Sequence, residues 1–251
     1  MALNSPPIRK KMTNSYDSTT AINRVLPQQN TAHAFILYAI TLPSFLLAGL
    51  CFGWYGSTQE VPLLLLGLVT VGMAYDFLSH ILGLYLKRQT AFLRWYARIN
   101  FWALCFGIPF TAFAGTFVMA EIAPDGISAQ LAGHYMLILQ SSVGFGALFL
   151  FARYKQISIG GALEFILDKS DTYTRTIFVA RRVLLALALI IGIIVMIDGW
   201  NTDWRIWSLL FGGTFIATVP LHIMHKQIPS MLSELITQAI AIYGSWVVFV
   251  A

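Results

Sequence analysis

A chain of 251 residues with 57% hydrophobic and only 11% charged residues is too apolar to clothe itself in water, since ordinary soluble domains carry about 25% charged residues. The apolar residues are gathered into long runs, which points to a helical membrane protein rather than to one oversized core. The formal charge of +5 does not call for nucleic acid, because basic loops are explained by membrane orientation and contact with anionic lipid.

Residues 1–32 are polar, rich in Ser, Thr, Asn, Gln and Pro, and contain Arg9, Lys10, Lys11 and Arg24. Without an apolar centre they are no secretory signal peptide, and they read as a cytoplasmic tail that is flexible or bound to a partner. Residues 33–251 then form a transmembrane domain with seven apolar spans, near 33–55, 61–86, 95–120, 130–152, 178–199, 205–225 and 230–250. Each is long enough for a hydrocarbon layer of about 30 Å. The fold class is an all-α bundle of seven transmembrane helices, with aromatic residues such as Trp54, Trp95 and Trp200 near span ends as interfacial anchors. Every lysine and arginine except Arg205 falls in the tail, in an even-numbered connection or, as Arg98, Arg181 and Arg182 do, at the adjoining end of a span. That asymmetry places the N-terminus in the cytoplasm and the C-terminus outside, in the inner membrane of a bacterium.

Spans one, three and six contain Pro43, Pro109 and Pro220, read as kinks. Cys51 and Cys105 lie in apolar runs and read as small buried hydrophobes. Ser142 and Gly146 in span four, and Gly212 and Gly213 in span six, are small residues suited to close helix packing, within the chain or between copies. The long fourth connection, "SIGGALEFILDKSDTYTRT", sets Leu163, Ile166 and Leu167 against Glu164, Asp168 and Asp171. This predicts a helix near 158–171 lying along the cytoplasmic interface.

Ionisable residues inside apolar spans are the strongest functional signal, because burying charge is expensive. Asp76 and His80 are four residues apart and share a helical face. Asn100 on span three and Glu234 on span seven can join them in a polar or proton-handling network. His222 and His225 end span six at the same depth. Asp76, His80, His222 and His225 together could enclose a divalent metal, and haem is the other cofactor such histidines would admit.

The "DFLSH" segment, residues 76–80, is similar to the helix-two part of the progestin/adiponectin-receptor and alkaline ceramidase hydrolases. That resemblance implies a zinc held by a helix-two histidine and an H-x-x-x-H pair on helix seven. Here the paired histidines are spaced H-x-x-H and lie on helix six, and the family's helix-three aspartate has no counterpart. Residues 84–116 resemble, in LYLK, AR and GT, the second-helix region of the haem-bearing subunit of cytochrome bd oxidases. The preceding haem-ligand histidine and the paired glutamates on the next helix are missing, which leaves apolar composition as the common factor.

No P-loop, G-x-S-x-G, H-E-x-x-H or Asp-rich prenyltransferase motif is present. The leading expectation is a non-enzymatic subunit of a larger membrane assembly or transport machine, surrounded by lipid and contacting protein partners or further copies of itself. The alternatives are a metal- or haem-dependent membrane enzyme, and an ion or proton pathway through Asp76 and His80.

Overall fold

A computed structural model describes residues 31–86, 88–159, 162–223 and 227–251. The first apolar segment forms α1 (Thr31–Thr58), which turns directly into α2 (Val61–Tyr85). Gln59 makes the turn at a positive φ of 61°, and its amide donates to the Tyr55 carbonyl at 2.8 Å. This left-handed cap satisfies a terminal carbonyl of α1. Pro62 sits in the first turn of α2, where its missing N–H breaks no helical bond. The long α3 (Thr90–Ile122) runs back, carrying Pro109.

The fourth segment is broken. α4 (Ile127–Gly133) and α5 (Tyr135–Ala147), the latter prolonged by a 3-10 turn at Leu148–Phe151, meet at His134 with a bend of 61°. The Asp198 carboxylate on α6 (Thr172–Gly199) accepts from the Ser128 amide at 2.6 Å and ties α4 to it. Asp171 caps α6, accepting from the Thr174 amide at 2.9 Å. Two last helices, α7 (Arg205–Ile223) and α8 (Gln227–Phe249), complete the bundle.

The helix expected near 158–171 is not there. Strands β1 (Tyr154–Ile159) and β2 (Ala162–Leu167) form an antiparallel hairpin in which Ile159 pairs with Ala162 and Tyr154 with Leu167. The molecule is therefore mostly helical rather than purely α. The amphipathic spacing after Gly160-Gly161 fits a helix only when "YKQISI" upstream is left out: that run is equally rich in β-branched and aromatic residues, and a Gly-Gly dipeptide between two such runs is a hairpin signal.

The hairpin packs on the C-terminal end of α2 and the start of α3, where Phe165 is buried with Leu93 and Ala97. A side chain at Gly83 would collide with the Leu163 carbonyl oxygen, so only glycine admits this approach.

The core is built around α3. Phe113, Val118 and Met119 are buried against Ala188 and Val195 of α6, Trp207, Phe211 and Phe215 of α7, and Ala241 of α8. The outside is as apolar as the inside. On α6 the exposed residues Val179, Val183, Leu187, Ile190, Ile193 and Ile197 recur every three or four positions as one stripe. Such a stripe suits lipid rather than water. Among the described residues four helices are long and apolar enough to cross a membrane: α1 over Tyr38–Thr58, α2, α6, and α8 over Pro229–Phe249. The bent Ile127–Phe151 pair makes a fifth if counted as one span, and α3 offers a shorter apolar stretch, Pro109–Ile122. The fold fits an integral membrane protein.

Candidate functional site

The polar side chains of the helices gather into two connected groups. The outer group lies where the hairpin meets α2 and α3. α2 brings Asp76 and His80 to one face because they are one helical turn apart. The Asp76 carboxylate accepts a hydrogen bond from the Asn100 amide of α3. His80 Nδ1 lies 2.6 Å from Glu164 Oε1 of β2, with both side chains only 12% exposed. So short a contact between an imidazole and a carboxylate is of the charge-assisted kind. Tyr96 of α3 fixes the wall: its hydroxyl donates to the Tyr75 carbonyl at 2.7 Å, and the two rings stack at 3.8 Å. Together these residues line a cleft of about 100 Å3, room for a few waters. Among the described residues Asn100 Oδ1 is buried and has no hydrogen-bond partner.

The inner group is deeper. Glu234 stands two turns into α8, roughly 10 Å along the helix, and is 4% exposed. Ser230 Oγ donates to its carboxylate at 3.3 Å. One turn further in, the fully enclosed Gln238 bridges two other helices. Its amide donates to Thr111 Oγ1 of α3, and its carbonyl oxygen lies 3.3 Å from Thr70 Oγ1 of α2. Thr218 of α7 and Ser233 of α8 share a hydrogen bond at 2.6 Å. A second, smaller cavity of about 20 Å3 is lined by Thr111, Thr218, Glu234, Thr237 and Gln238, with Met73 and Phe215 as its apolar walls. Four helices thus contribute polar side chains to the interior, where the threonine hydroxyls bond their own backbone and Gln238 and Glu234 need partners from outside it.

Of the residues expected from sequence, Asp76 and Asn100 are bonded to one another, His80 takes part in the same cleft, and Glu234 lines the inner cavity. Sequence reasoning missed Glu164, which it placed on the solvated face of a helix, and it missed Gln238 and the threonines. A signal for the latter exists: Ser230, Glu234, Thr237 and Gln238 recur at helical spacing along an otherwise apolar α8.

His225 and the side chain of His222 lie outside the described residues, so the four-residue metal set is not assembled here. Among the described residues no group of three or more His, Cys, Asp and Glu is disposed around a metal. The small-residue positions mostly serve internal packing. Ser142 and Gly146 are buried, and Gly212 abuts Met196 and the Gly192 carbonyl of α6, whereas Gly213 faces open space. The tail also lies outside the described residues.

The hairpin end carries a ring of cations that rest on aromatic rings. Arg98 lies over Trp95, Arg181 over Phe101, and Lys169 and Arg182 over Phe178. The carboxylates there are drawn into turns. Asp168 is held below the usual carboxylate range by the Ser170 hydroxyl and amide, and Asp171 by the Thr174 amide and hydroxyl. No protein-family model and no curated protein matches the chain.

Proposed function

We propose that the chain is an integral membrane protein that crosses the bilayer seven times and conducts a proton or small cation along a path entered at the hairpin end. In this reading the bent α4–α5 pair, α3 and α7 complete the crossings, and the basic hairpin end faces the cytoplasm. The path starts in the cleft of Asp76, His80, Asn100 and Glu164 and continues past Glu234 to Gln238. The observation that carries the proposal is the cleft lined by Asp76, His80, Asn100 and Glu164, with the buried Glu234 and Gln238 beside a second small cavity, inside helices whose outer surfaces are apolar. Ionisable side chains retained at such depth mark ion and proton routes, and a string of hydroxyl, amide and carboxylate groups with room for water can pass a charge stepwise.

The test is flux in proteoliposomes containing the full chain, driven by a proton or sodium gradient. Asp76→Asn and Glu234→Gln keep the shape of each side chain and remove its charge. Each is expected to lower flux at least tenfold while the protein remains monodisperse; flux at the wild-type level in both variants refutes the path.

A further inference from the structure

We propose that the junction of the hairpin with α6 binds an anionic glycerophospholipid, its phosphate held by Lys169 and Arg182 with Lys155 beside them, and its acyl chains laid along the exposed stripe of α6. This lipid site stands apart from the conduction path and needs only the apolar outer face of α6.

The stripe runs from Val179 to Ile197, about 27 Å at 1.5 Å per residue, close to the thickness of a hydrocarbon layer. In a bilayer its two ends then fall at the two headgroup levels. Trp200 is exposed just past one end, where an interfacial anchor belongs. The other end carries three exposed cations: Arg182 next to Val183, Arg175 one turn before Val179, and Lys169 in the turn that precedes α6. Helical side chains lean toward the N-terminus of their helix. Arg182 does so, lying over the ring of Phe178 one turn back, and its charge is carried away from the apolar stripe.

The charges at this end lack a counterion. Lys169 Nζ lies 3.9 Å from the centre of the Phe178 ring, and the Arg182 guanidinium carbon lies 5.2 Å from it. Two like charges share one ring and repel each other. Burial, and then the nearby charges of Arg182 and Lys155, lower the Lys169 ammonium from its usual range. Among the described residues neither Lys169 nor Arg182 has a carboxylate within ion-pair distance. The three acids of segment 153–182 are engaged elsewhere: Glu164 by His80, Asp168 by Ser170, and Asp171 by Thr174 and Arg153. An anion between Lys169 and Arg182 turns their repulsion into two attractions. A phosphate offers several strong acceptor oxygens to such donors, and on a lipid it arrives with chains that fit the stripe. A zwitterionic headgroup brings its own ammonium into the cluster, so a headgroup of net negative charge is favoured.

The experiment is equilibrium binding of radiolabelled dioleoylphosphatidylglycerol to the delipidated full-length chain in detergent. Saturable binding near one lipid per chain is expected, at least tenfold tighter than that of dioleoylphosphatidylcholine. Replacing both cations, Lys169→Gln with Arg182→Gln, is expected to weaken binding at least tenfold at an unchanged melting temperature. Lys155→Gln is expected to weaken it several-fold, and Lys169→Arg to retain it. Arg205→Gln removes the same charge beyond the far end of α6 and is expected to bind as the wild type does. A hundredfold excess of inorganic phosphate is expected to leave the lipid bound. Equal affinity for phosphatidylcholine, an equal loss in Arg205→Gln, or unchanged binding in the well-folded double variant would overturn the site. Displacement by inorganic phosphate would overturn it in favour of a soluble anion, and displacement by a polyglutamate peptide in favour of an acidic protein segment.

Discussion

Charge inside an apolar helix is the clearest single-residue signal in this chain. Asp76, His80 and Glu234 stand out in sequence for that reason alone, and the fold brings the first two to a polar cleft and the third to a small buried cavity. Uncharged groups carry no such flag. Gln238 and the threonines become visible only when four helices are superposed, because a lone threonine in a helix bonds its own backbone and needs no partner. Glu164 was hidden by the misassigned helix around it. Asp171 illustrates how a single group outside the bundle responds to pH. Its carboxyl is held below its usual range by the Thr174 amide and hydroxyl, and secondarily by Arg153 at 3.6 Å. A depressed pKa adds stability above the unfolded value, about 3.9, which is lost as pH falls through the folded one. Protection of the Thr174 amide, taken relative to the unstructured exchange rate at each pH, is therefore expected to hold near neutrality and to fall in acid below about pH 4. Asp171→Asn, which can still cap the helix, is expected to flatten that dependence. A pH-independent profile in the wild type would contradict the assignment.

At the level of elements, apolar runs locate helices well: the described residues of the expected segments lie almost wholly on helices, of which four are long and apolar enough to cross a membrane, or five if the bent pair counts as one span. They locate the hairpin poorly, since amphipathic segments of about a dozen residues fit either period when read piecemeal. Contacts between elements are less legible still. Gly83, Gly212 and Gly213 look alike in sequence, yet an added side chain collides with the Leu163 carbonyl, collides with Met196, and meets nothing within 4 Å, respectively. Gly212→Leu is accordingly expected to force α7 from α6 and to destabilise by about 1–3 kcal/mol, the usual range for overpacking. Gly213→Ala, one position on, is expected to be neutral or stabilising by up to about 1 kcal/mol, as alanine is the better helix former. Thermal unfolding in detergent compares the two; equal melting temperatures would contradict the close α6–α7 contact.

Over the whole molecule, composition declares the solvent. The exposed stripe on α6 and the exposed Phe35, Leu42, Leu46 and Leu50 on α1 are arranged for lipid. The number of crossings is harder to read. The first half of α3 mixes Arg94, Arg98 and Asn100 with apolar residues, so hydropathy fades along a helix that is continuous. Under the proposed seven crossings, with the basic hairpin end on the cytoplasmic side, the C-terminus lies outside. A reporter fused after Ala251 is expected to be active on the external side; cytoplasmic activity would overturn that orientation.

The pairing of His80 with Glu164 joins residues 84 positions apart in the chain, and Glu234 lies a further helix pair downstream. Domains emerge from the ribosome N-terminal end first. α2 must therefore leave the translation machinery with a histidine and an aspartate before the hairpin exists to meet the one and before α8 exists to close the cavity behind the other. Asn100, only 24 residues on, is the first partner Asp76 can find. The order of synthesis thus gives α3 a chaperoning part: it shelters α2 during the interval in which the rest of the polar path has yet to be made.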